Sequence, residues 1–389
     1  MTLQPYPVRY SALSLTHRCN LGCDYCYAGT GRGTSMDPEV ARGAMDFLAE
    51  SCNGNCTVTF FGGEPLIEFG MMKATVEHAL SHHGDKIQFR MSTNGTLLDE
   101  EKLAFLKDHG VHFVLSIDGD QEQHDTHRRF SGGRGSYQTI VRNLPAILAA
   151  NPYTIGVSVV TPETAGLVAA GVKDLFSKGF RYVLQTLDYG ALWGDAQVRE
   201  LRRQYLELAD YYKDALRAGR KIYYSPFDER IKTWAQKPYG NGDLCDLANS
   251  QIAIAPSGRI YPCVQFIGED RRQDKTNCIG DVFEGFDDGR RHSFIHENYA
   301  EKESCRGCAL EGRCATYCGC VNWRATGDLK TIPTIICEHE RMLMPIVDEV
   351  ASTLWKENAE LFRRKFYERS FPISSYVEDC GITPKGEAR

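Results

Sequence analysis

Three cysteines crowd one short stretch, Cys19-Asn-Leu-Gly-Cys23-Asp-Tyr-Cys26, spaced C-x3-C-x2-C. Thiolates are soft ligands that suit zinc and iron–sulfur clusters. Their number matters more than their softness. A closed tetrahedral zinc site takes four donors, and this loop offers three. A cubane iron–sulfur cluster has four iron corners, usually filled by four cysteines. Three local cysteines therefore imply a distant fourth ligand, or one iron left to a ligand that is not protein. Half of a zinc site or a disulfide cluster is the alternative, although x3-x2 is unusual spacing for zinc pairs.

The rest of the chain narrows the setting. Of 389 residues, 42% are hydrophobic and 25% charged, the balance of a globular protein with one large domain and a smaller one, or two to three domains. A net charge of −6 gives no general attraction to nucleic acid or to an anionic membrane. No apolar run approaches the roughly 18–20 residues that span a bilayer. The start, Met1 to Tyr10, lacks a charged segment leading into an apolar one, so no secretion signal is expected. Fifteen cysteines without such a signal point to metal binding in a reducing cytoplasm, and an odd count cannot pair completely.

Alternating strands and helices must position the cysteine loop. Strands are expected at Tyr10–Leu15, Thr57–Phe61, Ile87–Met91, Val111–Ser116, Tyr153–Val160 and Tyr182–Thr186. Helices are expected between them, near Pro38–Glu50, Met71–Ser81, Glu100–Asp108, Tyr137–Ala150 and Gly166–Ser177. Serial β/α units imply a parallel sheet with right-handed crossovers. Six units fall short of the eight that close a full barrel, so an open partial (β/α)6 TIM barrel is the expected α/β architecture. Functional loops in such sheets leave the carboxyl ends of the strands, and the cysteine loop does so after the first. The second strand runs into Gly62-Gly63-Glu64-Pro65, where paired glycines admit a close backbone approach and Glu64 can accept bonds from an amine. The third runs into Ser92-Thr93-Asn94-Gly95, which alone would read as a turn. The fourth ends at Ser116, and Arg128 follows as a candidate anion-binding group or part of a solvated helix face.

Together these residues resemble the radical S-adenosylmethionine (radical SAM) enzymes, whose core fold is this partial barrel. The resemblance implies a 4Fe–4S cluster on Cys19, Cys23 and Cys26, its open iron chelated by the methionyl amino and carboxylate groups of S-adenosylmethionine. The reduced cluster of such enzymes cleaves the sulfonium to give a 5′-deoxyadenosyl radical. Gly62, Gly63, Glu64 and Pro65 match the family's GGEP motif, which holds the methionyl ammonium group. Ser92 and Asn94 fall where relatives contact the ribose, Ser116 looks like a further cofactor contact, and Arg128 suits the cofactor carboxylate or the substrate.

Past a helical stretch at 195–235, cysteines return. Cys245, Cys263, Cys305, Cys308, Cys314, Cys318 and Cys337 run C-x12-G-x4-C, a gap, C-x2-C-x5-C-x3-C, a gap, then C. That resembles the seven-cysteine SPASM extension of radical SAM enzymes; a treble zinc ribbon is the physical competitor. The likeness implies two auxiliary 4Fe–4S clusters, one on Cys245, Cys263 and Cys318, the other on Cys305, Cys308, Cys314 and Cys337. The first then lacks a ligand: Cys278, Cys320 or Asp243 fills the corner, or it stays open for a substrate thiolate. The expected division is 1–190 core, 191–244 helical bridge, 245–340 SPASM domain and 341–389 terminal helix and tail. The terminal helix is expected at Glu338–Glu368, with Met342, Ile346, Val350 and Leu354 as its stripe and little pattern after it.

Tyr261-Pro262-Cys263-Val264-Gln265-Phe266, with Ala325-Thr326-Gly327-Asp328 and Cys337-Glu338-His339-Glu340, resembles maturases that crosslink ribosomally made peptides, above all thioether-forming ranthipeptide maturases. Anaerobic sulfatase-maturating enzymes are the rival likeness; they carry a basic aspartate where this chain has Val264. The expected substrate is a peptide or protein, the electron donor a flavodoxin or ferredoxin. A first strand starting by residue 10 leaves no room for an amino-terminal leader-binding domain, so a separate protein, or the barrel itself, is expected to recognise any leader. Purified without oxygen, the protein should be brown and contain inorganic sulfide; colourless, zinc-bearing material would reject the iron–sulfur reading.

Overall fold

The computed structural model describes residues 7–28, 33–236, 239, 245–270, 275–314 and 318–380. Its parallel strands are β1 (Tyr10–Thr16), β2 (Cys56–Gly62), β3 (Ile87–Thr93), β4 (His112–Ser116), β5 (Ile155–Val160), β6 (Tyr182–Leu187) and the short β7 (Tyr223–Tyr224). Between them run α1 (Pro38–Ser51), α2 (Phe69–His83), α3 (Glu100–Asp108), α4 (Gln121–His127), α5 (Tyr137–Ala150), α6 (Val168–Ser177) and α7 (Asp195–Arg217). The expected partial barrel is present through β6. Helix α1 shows why these segments fold as they do. Asp37 caps it by accepting from the Glu39 N–H at 2.8 Å, Pro38 occupies the first turn, and Ala41, Ala44, Met45 and Leu48 form its buried face. Strand β3 instead alternates, with Ile87, Phe89 and Met91 buried and Gln88 and Arg90 exposed. Phe60 of β2 stacks on Phe89 at 5.4 Å between ring centres.

The sheet does not stop at the barrel. Its order is β11-β10-β9-β8-β1-β2-β3-β4-β5-β6-β7, where β8 is Gln251–Ile254, β9 Arg259–Tyr261, β10 Gly280–Asp281 and β11 Gly285–Phe286. Strand β8 lies parallel to β1, with Leu13 opposite Ile254. A hairpin follows: β8 and β9 are antiparallel, joined through Gly258 at φ +89°. One continuous sheet thus carries the barrel into the cysteine-rich region.

Two helical expectations are corrected. Residues 195–235 are not one helix: α7 ends at Arg217, β7 adds a strand to the barrel, and α8 (Ser225–Ala235) follows. After α9 (Asp288–Tyr299) and α10 (Gly319–Thr326), the terminal segment is three helices, α11 (Thr334–Lys356), α12 (Glu360–Tyr367) and α13 (Phe371–Asp379). Asn358 turns left-handed at φ +57°, an angle that asparagine tolerates, and breaks the expected single helix. The apolar repeat resumes beyond it at Leu361, Phe362 and Phe366, so periodicity alone bridges the gap. No helix among the described residues is long and apolar enough to cross a membrane.

Helix α11 is fixed to α8 by a buried ion pair. Arg230 Nε donates to Glu340 Oε2 at 2.9 Å, a second bond joins Arg230 Nη2 to Glu340 Oε1, and Arg230 Nη1 donates to the Pro226 carbonyl at 2.9 Å. His339 Nε2 meets the Tyr205 hydroxyl at 3.0 Å. His339 and Glu340, read from sequence as marks of a family member, therefore hold helices together. Replacing one partner strands the other charge without water. Arg230→Met should lower unfolding free energy by about 3–5 kcal/mol, measurable by urea denaturation of the wild type and variant.

Candidate active site at the carboxyl ends of the strands

The cysteine loop leaves β1 and is tied down by backbone bonds. Cys26 N–H donates to the Cys23 carbonyl at 3.2 Å, and Gly22 N–H donates to the Arg129 carbonyl at 2.8 Å. The end of β2 presses against the loop's start. Gly63 N–H donates to the Thr16 carbonyl at 2.8 Å and Glu64 N–H to the Arg18 carbonyl at 2.9 Å. A Cβ on Gly62 would lie 2.2 Å from the Thr16 oxygen, and one on Gly63 2.2 Å from the Arg18 oxygen. The paired glycines thus admit the loop's own backbone, a use beyond the ligand approach expected from sequence.

Glu64 departs from its expected place. Its carboxylate is fully buried and spent on the protein: Oε1 accepts from Leu66 N–H at 3.1 Å and Thr93 Oγ1 at 2.8 Å, and Oε2 accepts from Asn94 N–H at 2.8 Å. The side chain knots the end of β2 to the end of β3 and does not line the cofactor-sized cavity described below. Pro65 is buried in the short turn Pro65–Glu68 and lies outside that cavity too. Burial pushes the Glu64 carboxyl up to about 7, with the three donors pulling back.

Asn94 Nδ2 donates to Asn20 Oδ1 at 2.9 Å and lies 3.8 Å from Cys19 Sγ, so β3 reaches into the cysteine loop. Beneath lies a buried hub that the sequence reading missed, Asp118. Its Oδ2 accepts from Tyr25 Oη at 2.5 Å and Arg128 Nε at 2.9 Å, and its Oδ1 accepts from Val159 N–H at 2.9 Å. Arg128 is buried, not part of a solvated helix face. Burial lowers His124 to about 4, so its ring is neutral. Asp118 N–H donates to Nδ1 at 3.3 Å, which leaves Nε2–H to donate to Ser136 Oγ at 2.9 Å. Ser136 in turn donates to the Arg128 carbonyl at 2.7 Å.

A cavity of about 280 Å³ opens over these groups. Cys19, Cys23, Cys26, Gly62, Gly63, Ser92, Asn94, Ser116 and Arg128 all line it. No fourth cysteine and no histidine lines it among the described residues. Burial pushes the Cys23 thiol up to about 12, which makes it a poor thiolate unless a cation sits beside it. A three-thiol wall with a polar rim fits an iron–sulfur cluster with one iron left to another ligand.

A second group of cysteines lies together in the cysteine-rich region. Cys318 Sγ and Cys320 Sγ lie 3.3 Å apart, Cys245 bonds to Cys318, and Cys263 to Cys320. The four thiols form one chain of contacts that includes Cys320. Cys278 is engaged elsewhere, its thiol 3.1 Å from the Gly280 carbonyl, and Asp243 lies outside the described residues. Cys305, Cys308, Cys314 and Cys337 share a separate 60 Å³ cavity. Tyr27 is half-buried and lies near Cys26, Cys263 and Cys320. Cys26, Tyr27, Gln265 and Arg324 line both the first cavity and an adjoining one of about 590 Å³.

Residues 13–169 match the model of the radical SAM superfamily. The chain is an enzyme with a radical SAM domain. It is 24% identical over 321 residues to the cysteine-type anaerobic sulfatase-maturating enzyme of Clostridium perfringens, covering 77% of this chain and 85% of that one. An uncharacterized protein of Methanocaldococcus jannaschii is 30% identical over 178 residues, a match spanning 45% of this chain and 61% of that protein. Among solved structures, anSMEcpe with bound AdoMet superposes with a TM-score of 0.76 at 19% identity, covering 92% of this chain and 98% of that one. Streptococcus suis SuiB, bound to its precursor peptide SuiA, superposes with a TM-score of 0.59 at 15% identity, covering 85% and 76%. The fold is shared with both solved structures, and the radical SAM domain implies a 4Fe–4S cluster and S-adenosylmethionine as cofactors.

Glu64 gives a pH signature. Its carboxyl holds a proton up to about 7 in the folded state, whereas the unfolded chain releases it near 4.5. Its contribution to stability is full below 4.5 and is lost as pH rises through about 7. Urea midpoints should therefore fall across that interval in the wild type, and Glu64→Gln should remove that part of the slope.

Proposed function

We propose that this enzyme oxidatively modifies a peptide, joining side chains through a thioether or carbon–carbon bond in a ribosomally made substrate. The observation that carries the reading is the adjacency of two cavities: the three-cysteine cavity and the one of about 590 Å³ share Cys26, Tyr27, Gln265 and Arg324 in their walls. An extended peptide can enter there and present one residue to the first cavity. SuiB, which shares the fold, was solved with a precursor peptide. When bound, the cluster and S-adenosylmethionine supply a 5′-deoxyadenosyl radical that removes hydrogen from the substrate.

The chain's own residues do the positioning. Cys19, Cys23 and Cys26 would hold the first cluster. Gly62 and Gly63 keep β2 against the loop, Asn94 braces it from β3, and Asp118 fixes Arg128 and Tyr25 beneath it. Ser92 and Ser116 offer hydroxyls at the rim. Cys245, Cys263, Cys318 and Cys320 would hold one auxiliary cluster; Cys305, Cys308, Cys314 and Cys337 would hold the other. Four protein ligands on each leave no corner for a substrate thiolate, which favours electron transfer over substrate anchoring. A flavodoxin- or ferredoxin-type donor would supply the first electron.

Oxidation of a cysteine or serine to formylglycine is the second reading, favoured by the likeness to the sulfatase-maturating enzyme. Val264 argues against it, since an apolar side chain there cannot take a proton. Coexpression with a short cysteine-rich peptide encoded nearby, followed by mass spectrometry, separates the two. A crosslink appears as loss of two hydrogens, with the thiol no longer alkylated where the bond is a thioether; formylglycine appears as an aldehyde that traps a hydrazine. Cys19→Ala, Cys23→Ala and Cys26→Ala should each abolish 5′-deoxyadenosine formation, and Cys305→Ala should spare it while lowering peptide modification. Undiminished deoxyadenosine from reconstituted Cys23→Ala protein would refute the cluster assignment.

A further inference from the structure

At the opposite end of the barrel from the cysteine loop, α1 and α2 bring together a group that the radical chemistry does not use. Asp46 Oδ1 lies 3.0 Å from His78 Nε2 and 2.7 Å from His83 Nε2. All three atoms lie within 4.8 Å of one another, the one such cluster of metal-binding donors found among the described residues. The imidazoles are sheltered, their side chains 14% and 20% exposed, while Asp46 is 50% exposed and so open to an arriving ion and its water. His83 lies in the last turn of α2, where unpaired carbonyls favour a positive charge.

As it stands, two N–H groups can share one carboxylate oxygen, and that accounts for the distances without an ion. The donor set also suits one. Two imidazoles and a carboxylate are ligands for zinc and its neighbours, with a fourth position left to water. Zinc–nitrogen and zinc–oxygen bonds of about 2.0–2.2 Å place tetrahedral donors roughly 3.3 Å apart. The ligands would spread by about half an ångström, which the half-exposed Asp46 side chain can supply. Both rings already aim the same nitrogen at one point. His82 stacks on His78 at 4.2 Å between ring centres, but its Nδ1 is taken up by Ser81 Oγ and the His78 carbonyl, each at 2.9 Å.

We propose that Asp46, His78 and His83 bind a divalent first-row transition ion of the zinc class, clamping α1 to α2. The test is calorimetric titration of zinc into cluster-loaded enzyme, with iron measured before and after. One zinc should bind with no iron released, and it should raise the thermal unfolding midpoint. Asp46→Asn and His83→Ala should each weaken that binding at least about tenfold and cancel the thermal shift. His82→Ala should stay within about twofold of the wild type, since its ring is outside the ligand set. Equal zinc affinity in the wild type, Asp46→Asn and His83→Ala would overturn the proposal. So would uptake only with loss of iron, which places the zinc on the cysteines, and so would a His82→Ala loss as large as that of His83→Ala.

Discussion

Nothing larger than hydrogen fits on the α-carbons of Gly62 and Gly63, and the active site is built on that contact. The ends of β1 and β2 touch through backbone alone, which sets where the cysteine loop starts. Glu64, the next residue, then turns inward and ties β2 to β3. Three adjacent strand ends are thereby locked before any cofactor is considered. Preorganisation of this kind lets the protein orient a reactive group without rearranging at the moment of reaction.

Much of this was legible in the sequence. Alternating apolar runs and helical periods gave the order of barrel strands, and cysteine spacing marked the loop after β1. The structure gathers the chosen cofactor-contact residues around one cavity, with two exceptions, Glu64 and Pro65. A GGEP segment cannot show by itself that its carboxylate points inward, because the partners, Thr93 and Asn94, lie on another strand. Asp118 was passed over for a similar reason. Its importance comes from Tyr25 and Arg128, which converge on it from the cysteine loop and the end of α4.

Other features were hidden because they depend on distance in space. The pairing of β8 with β1 joins residues far apart in the chain, and a four-residue strand carries no signal of its partner. Cys320 was one of three choices for a missing ligand; only the fold brings it to Cys318 and Cys263. The turn at Asn358 escaped because the apolar repeat continues on both sides of it. His339 and Glu340 invited a reading as family markers, and burial shows them bracing α7 and α8.

The union of β1 with β8 bears on how the chain comes off the ribosome. Until residues 251–254 emerge, one edge of β1 has no neighbour, although β2 can already cover the other. An open strand edge is a template for pairing with another chain. The cysteine loop hangs from that half-covered strand throughout most of synthesis. Crowded nascent chains are therefore most exposed to misassembly before the hairpin appears.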